Sequence, residues 1–395
     1  MSKEIHLTMD IPTTKFPQPI INSSRLALDT INQKPAQGIP SWLLHIMQHE
    51  IIERLAGTEP GSYKREPDKV YLQMQHRIGT CLLDQYLADN PLTMGNAGFE
   101  GTSPRTATTG EEAIYLDGIL INSPEAVVTH LESFEFPRIK KAISEFNKAW
   151  RIHEIIQDEI KLQNKLGPDI LKSGYGFVTF PILDYYKYGY TQYFSTYAHY
   201  PEVIEKHFSL QADLALLNNQ AAAQAFSDAE LPPLIRLDHD IADSHGTLVN
   251  PRSLDRLWFP HFARCLEPLL QSDIRMIWHC DGNLMEMVPR LLEAGLRGFQ
   301  GFQYEDGMDY EQICQLNDRE GRPLIIIAGV SVTRTLPFGN PQDVRKELNW
   351  LVNTGPQTGL FLGASSSIPP GAPWKNILTL VEGLKYFQTT GKEKT

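Results

Sequence analysis

An α/β fold, specifically a (β/α)8 TIM barrel with an N-terminal helical extension, is the fold class this sequence predicts, and three observations predict it. The C-terminal half holds five strand–helix units joined by connections short enough for a parallel sheet. Its strand candidates, such as LIIIAGV at 324–330, are β-rich without strict alternation, as expected where helices cover the sheet. The competing architecture, a doubly wound open sheet, would want a glycine-rich phosphate turn. Neither GxGxxG nor GxxxxGK[ST] occurs in the chain.

Taken in order, residues 24–56 read as a helix, a Pro/Gly break, a short strand and a second helix. Residues 123–165 are charged and mostly helical, and GFVTFPIL at 176–183 is a strand candidate. From 233 the units are clear. Strand PLIRLDHD (233–240) precedes a helix through 253–271, and IRMIWHCDG (274–282) precedes one through 283–295. RGFQGFQ (297–303) leads to 309–321, PLIIIAGVSV (323–332) to 341–355, and TGLFLGAS (358–365) to 373–387. The economical reading is one barrel domain over 1–395, with 1–38 as an N-terminal extension and 90–165 as an insertion or helical excursion.

Composition narrows the function classes. The chain has 395 residues, 42% hydrophobic and 21% charged, as in an ordinary globular protein. Its formal net charge of −11, with no long basic run, lacks the footprint of a nucleic-acid binder. Four widely spaced cysteines do not make a disulfide framework, so a reducing cytoplasm is the expected setting. The first residues, MSKEIHLTMDIPTTKF, hold no apolar signal core, and no run approaches a membrane span. Size and solubility favour an enzyme.

Chemistry concentrates at the predicted strand ends, where α/β barrels build their sites. In Trp278-His279-Cys280-Asp281, alternation puts His279 and Asp281 on one face and Cys280 on the other. An imidazole and a carboxylate converging there suit a metal ion or an acid/base pair, or a buried histidine satisfied by its neighbour. On the preceding strand, Asp238 and Asp240 share a face and His239 takes the other. Glu305 or Asp306 could complete a metal site, whereas Asp309 fits a helix start. Ser365, in GASSSIPPG (363–371), could line a pocket or simply form a turn. Eight of the fifteen tyrosines fall between 175 and 200. Tyr185, Tyr186 and Tyr190 are candidates for the wall of a flat, partly polar ligand or a partner surface.

Several segments together resemble the uroporphyrinogen decarboxylase superfamily, which includes corrinoid-dependent methyltransferases. They are RLALDTINQKPAQGIP (25–40), LDHDIADSHGTLVNPRSLDRLWFPHF (237–262), WHCDGN (278–283), IAGVSVTRTLPFGNPQDVRKEL (327–348) and LGASSSIPPGAPWKNI (362–377). The resemblance implies a (β/α)8 barrel. Two departures from the family pattern bear on function. The Arg-Gln-Ala-Gly-Arg segment that clamps substrate propionates in true decarboxylases has no counterpart after Pro40, where SWLLHIMQHEIIERL stands. The zinc thiol-methyltransferases use His-x-Cys and a later Cys. Here His279 keeps its place, Asp281 takes the second position, and Ala364-Ser365-Ser366 replaces the later Cys.

The resemblance therefore implies zinc held by His279, Asp281 and Glu305, with Asp240 and His279 acting in catalysis. Asp238, Tyr185, Tyr186, Tyr190 and Ser365 would contact substrate. Replacing thiolates by a carboxylate leaves a harder, more Lewis-acidic ion, suited to drawing charge from an ether oxygen. The activity expected is transfer of a methyl group from a methyl ether, plausibly a methoxylated aromatic, to the cobalt of a separate corrinoid protein. Decarboxylation of a tetrapyrrole and methylcobalamin:thiol methyl transfer are the alternatives. A corrinoid carrier is disfavoured because no Asp-x-His-x-x-Gly signature occurs.

Overall fold

The computed structural model describes residues 15–18, 22–88 and 113–392. Most of the proposed 1–38 extension before residue 22, and positions 90–112 of the proposed insertion, lie outside the described residues. The fold is mixed α/β and TIM-like. Its parallel strands are β1 (Leu82–Leu83), β2 (Leu171–Lys172), β3 (Gly174–Tyr175), β4 (Leu234–Asp238), β5 (Arg275–His279), β6 (Gly298–Gln300), β7 (Ile325–Val330) and β8 (Leu360–Ala364), and two short antiparallel hairpins, at 115–120 and 242–247, lie outside them.

Strands β3 to β8 form one parallel sheet in sequence order. Strand β1 pairs in parallel with β2, which runs on through Ser173 into β3. Two parallel bridges carry the pairing round to the far edge, Ser41 to Leu362 of β8 and Trp42 to Leu82 of β1. The Trp42 N–H donates to the Leu362 carbonyl at 2.8 Å and the Leu43 N–H to Leu82 at 3.0 Å. These contacts satisfy the backbone groups that an open sheet edge would expose.

Each strand has two faces with different neighbours. On β5, Trp278 packs outward with Phe262 and Phe180 at ring-centroid distances of 5.6 and 5.4 Å. Phe262 stacks on Trp258 at 4.3 Å, and the Trp258 indole donates to the Pro181 carbonyl at 2.8 Å. The opposite face carries Arg236 and Asp238 from β4 and His279 from β5. Register sets Asp238 beside His279, and His279 beside Gln300. The helix Pro341–Thr354 starts where the sequence places it, with Asn340 and Asp343 capping each other's backbone N–H groups.

The strand expected at 176–183 is not there. The strand occupies 171–175, and the chain turns out of the sheet at Gly176 with φ +78°. Beyond that turn, side chains replace a strand partner. Asn219 accepts from the Thr179 N–H at 3.1 Å and donates to its carbonyl at 2.8 Å, and Asn218 donates to the Phe177 carbonyl. The apolar run marks a loop packed on helix Pro201–Ala229, not a sheet member. Helices Pro124–His130, Phe136–Ser144 and Lys148–Leu166 fall between β1 and β2, in the charged stretch read as helical.

The outward aromatic cluster anchors the strands that bear the polar face. Phe262→Ala is expected to cost about 3–5 kcal/mol in urea unfolding, whereas Trp150→Ala should stay within about 0.5 kcal/mol. Phe262 is fully buried and Trp150 is 59% exposed.

Candidate functional site

Residues at the C-terminal ends of β4 and β5 converge. Asp240, His279 and Asp281 each present a potential ligand atom, all within 4.8 Å of one another. The backbone fixes this approach, because the Asp281 N–H donates to Asp240 Oδ1 at 3.0 Å. Two further contacts hold the loop after β5. The Gly282 N–H donates to Gln303 Oε1 and the Asn283 N–H to the Asp243 carbonyl, each at 2.7 Å.

Alternation around these positions separates the polar groups by role. His239 is buried away from the group and accepts the Leu183 N–H on Nε2 at 2.9 Å. Burial holds its pKa down at about 4, so it is neutral there. Cys280 is buried too. Its thiol accepts from the Ile241 N–H and donates to the Asp281 carbonyl, and burial with Asp240 nearby pushes its pKa up. It is a packed, protonated thiol and not a nucleophile.

The charges on the inner face are coupled. Burial raises the Asp281 carboxyl pKa; His279 opposes this, while Asp240 and Asp238 add to it, and the net direction is upward. Burial also pushes on Asp238, but His279, Arg236 and the Tyr175 hydroxyl outweigh it and leave that carboxyl below its usual range. Arg236 reaches Asp238 at 2.9 Å and Asp84 at 2.5 Å. Asp84 in turn accepts the Trp42 indole N–H at 3.1 Å, and Tyr175 donates to Asp238 at 3.0 Å. The guanidinium lies over the Tyr175 ring at 4.6 Å and the Trp42 ring at 5.5 Å.

Two buried atoms of the convergent group have no hydrogen-bond partner, His279 Nδ1 and Asp281 Oδ1. Such atoms cost free energy unless something else satisfies them. An imidazole and two carboxylates in reach of one point make a donor set for a divalent ion, with room for a fourth, exogenous ligand. The residues therefore fit a metal.

Other expected residues lie nearby in different roles. Tyr186, 56% exposed, donates to Asp240 Oδ2 at 3.4 Å. Buried Tyr185 donates to the Asp240 carbonyl at 2.6 Å, and Tyr190 packs on its ring at 4.6 Å. Glu305 does not join the group. It accepts from Ser331 at 2.7 Å and from Thr333, which holds it over the end of β7. Asp240 takes the third place that Glu305 was expected to fill. Ser365 is 1% exposed and accepts the Val332 N–H on its hydroxyl, so it ties β7 to β8. Its neighbour Ser366 is the one that donates to Asp281, at 3.5 Å. Asp309 caps the helix Tyr310–Cys314 through the Gln312 N–H, as read from sequence.

Sequence reasoning missed Arg236, Asp84 and Trp42, and it singled out neither Tyr175 within the tyrosine-rich stretch nor Ser366 within GASSSIPPG. Arg236 had a signal, since alternation from Asp238 puts it on the same face. Trp42 and Asp84 had none, because their contacts span distant parts of the chain. A second acidic group, Asp117, His130 and Glu135, is already neutralised by Arg138 and Lys187, with His130 bonded on both nitrogens. A cavity of about 520 Å³ lined by Lys34, Gln37, Thr358 and Lys392 lies at the opposite, N-terminal end of the strands.

Comparison with known proteins bears on the family and the fold. Residues 192–387 match the uroporphyrinogen decarboxylase (URO-D) family. The superfamily resemblance is supported. That stretch runs through β4 to β8 and includes every member of the Asp240–His279–Asp281 group. Among solved structures, a methyltransferase from Methanosarcina mazei is similar in fold, with a TM-score of 0.53 and 16% identity over 92% of this chain and 98% of that one. No curated protein matches the chain.

The imidazole position depends on Gly301. A Cβ there would lie 2.5 Å from His279 Nδ1, and the backbone is at φ +86°. Gly301→Ala is expected to weaken binding of added zinc about tenfold or more, with a folding cost of only about 1–2 kcal/mol. Gly371→Ala, also at positive φ but with open space around it, should show the folding cost alone. Calorimetric zinc titration and urea unfolding of both variants check this.

Proposed function

We propose that this protein is the substrate-side methyltransferase of an O-demethylation system, working in the cytoplasm. It moves a methyl group from a methyl ether, with a methoxylated aromatic as the class favoured, to the cobalt of a separate corrinoid protein. The observation that carries the reading is the donor set itself, one imidazole and two carboxylates without sulfur, at the C-terminal ends of two adjacent parallel strands within the stretch that matches the URO-D family. The methyltransferase title of the M. mazei structure is consistent with it.

Asp240, His279 and Asp281 would hold zinc. When bound, zinc would supply Lewis acidity toward the ether oxygen, and carboxylate donors in place of thiolates keep it hard. The chain's own residues do the rest. Asp240 is fixed from two sides, by the Asp281 N–H and the Tyr186 hydroxyl. Ser366 holds the far carboxylate oxygen of Asp281. Tyr186 and Tyr190 offer aromatic faces beside Asp240 on which a flat ring can stack. Asp238, kept ionised by Arg236 and His279, holds the adjacent strand end negative. Arg236 is committed to Asp84 and Asp238, so it makes a poor clamp for the carboxylates of a tetrapyrrole.

Zinc content separates ligands from neighbours. His279→Ala, Asp281→Ala and Asp240→Ala should each lower zinc affinity at least about tenfold and abolish methyl transfer from methoxybenzenes to Co(I) cobalamin. Cys280→Ser should keep its zinc. Loss of zinc from Cys280→Ser, or no transfer from any methoxybenzene by zinc-loaded protein, overturns the reading.

A further inference from the structure

The charge around the convergent group restricts which ethers can enter. Four carboxylates, those of Asp84, Asp238, Asp240 and Asp281, face the inner side with one guanidinium, Arg236, among them. A divalent ion on Asp240 and Asp281 balances those two. Asp84 and Asp238 then stand against Arg236 alone, which leaves the mouth negative by one charge with metal and more so without it. The single cation is also sealed. Arg236 is buried, its Nε and Nη1 are held by Asp84 and Asp238, and its guanidinium packs against the rings of Tyr175 and Trp42. A substrate carboxylate arriving from the mouth meets Asp238, the more exposed member of the pair, before the guanidinium.

Two other described cations have partners. Arg334 donates to the Glu305 carbonyl beside that residue's own carboxylate, and Lys187 is paired with Glu135. The rim beside Asp240 is aromatic and neutral, formed by Tyr186 and Tyr190. We propose that this site selects uncharged aromatic methyl ethers, the methoxyphenol class, and rejects methoxybenzoates and other ethers that carry an anionic group. Asp238 is the specificity-determining residue, because it is the carboxylate outside the metal group that water reaches, with a side chain 30% exposed. This inference rests on the proposed ether reading and narrows it to one substrate class.

Like charges separated by several ångströms in a partly buried site repel by more than a factor of ten in binding. The test is calorimetric titration of the full-length, zinc-supplemented protein with 2-methoxyphenol and with 3-methoxybenzoate at neutral pH. The methoxyphenol is expected to bind about tenfold tighter or more, with the difference shrinking as salt is raised. Asp238→Asn should narrow the preference severalfold by improving the benzoate. A merely structural role for Asp238 would weaken both ligands alike and contradict the assignment. Equal or tighter binding of the benzoate overturns the inference, as does failure of both ligands to bind. Selective binding without methyl transfer leaves the charge selection standing and overturns the ether-transfer reading instead.

Discussion

The parallel register between β4 and β5 is the constraint on which the site depends. Pairing Asp238 with His279 brings the two following loops side by side, so that Asp240 and Asp281 meet across a backbone N–H. A slip of β5 by one residue would turn His279 toward the helices and Trp278 toward the interior. The outward cluster of Trp278, Phe262 and Trp258 opposes that slip, since burying those rings outside is what fixes the inner face. Packing on one side of β5 thus positions the chemistry on the other.

That geometry assembles charges that repel. Two carboxylates held within 4.8 Å cost about 3–4 kcal/mol at an effective dielectric near 20. Burial is the main cause of the upward push on the Asp281 pKa, and repulsion from Asp240 and Asp238 adds to it. Arg236 offsets part of it through Asp84 and Asp238, but that guanidinium is one strand-register step deeper and cannot serve the outer pair as well. A cation shared by Asp240, His279 and Asp281 would relieve the remainder. The electrostatics that call for a metal also make the mouth hostile to anionic substrates.

Much of this was legible in the sequence where the signal is local. The strand–helix rhythm after 233 gave β4 to β8, and alternation placed His279 with Asp281 and set Cys280 apart. The helix starts at Pro341 and after Asp309 were readable for the same reason. The illegible parts depend on distant contacts. GFVTFPIL has a strand's composition, yet Asn218 and Asn219, some forty positions later, hold it as a loop. Glu305 stands at a strand end as a ligand should, but hydroxyls from Ser331 and Thr333 hold it. Asp84 and Trp42 come from the first half of the chain, where two-residue strands leave almost no periodicity to read.

The proposed metal site has no sulfur in its donor set, and X-ray absorption at the zinc edge of the purified, zinc-loaded protein tests that directly. Asp240, His279 and Asp281 predict a shell of nitrogen and oxygen neighbours near about 2.0–2.2 Å with no heavier scatterer. A sulfur neighbour near about 2.3 Å would put Cys280 on the metal and contradict both the strand orientation and the hard-ion chemistry drawn from it.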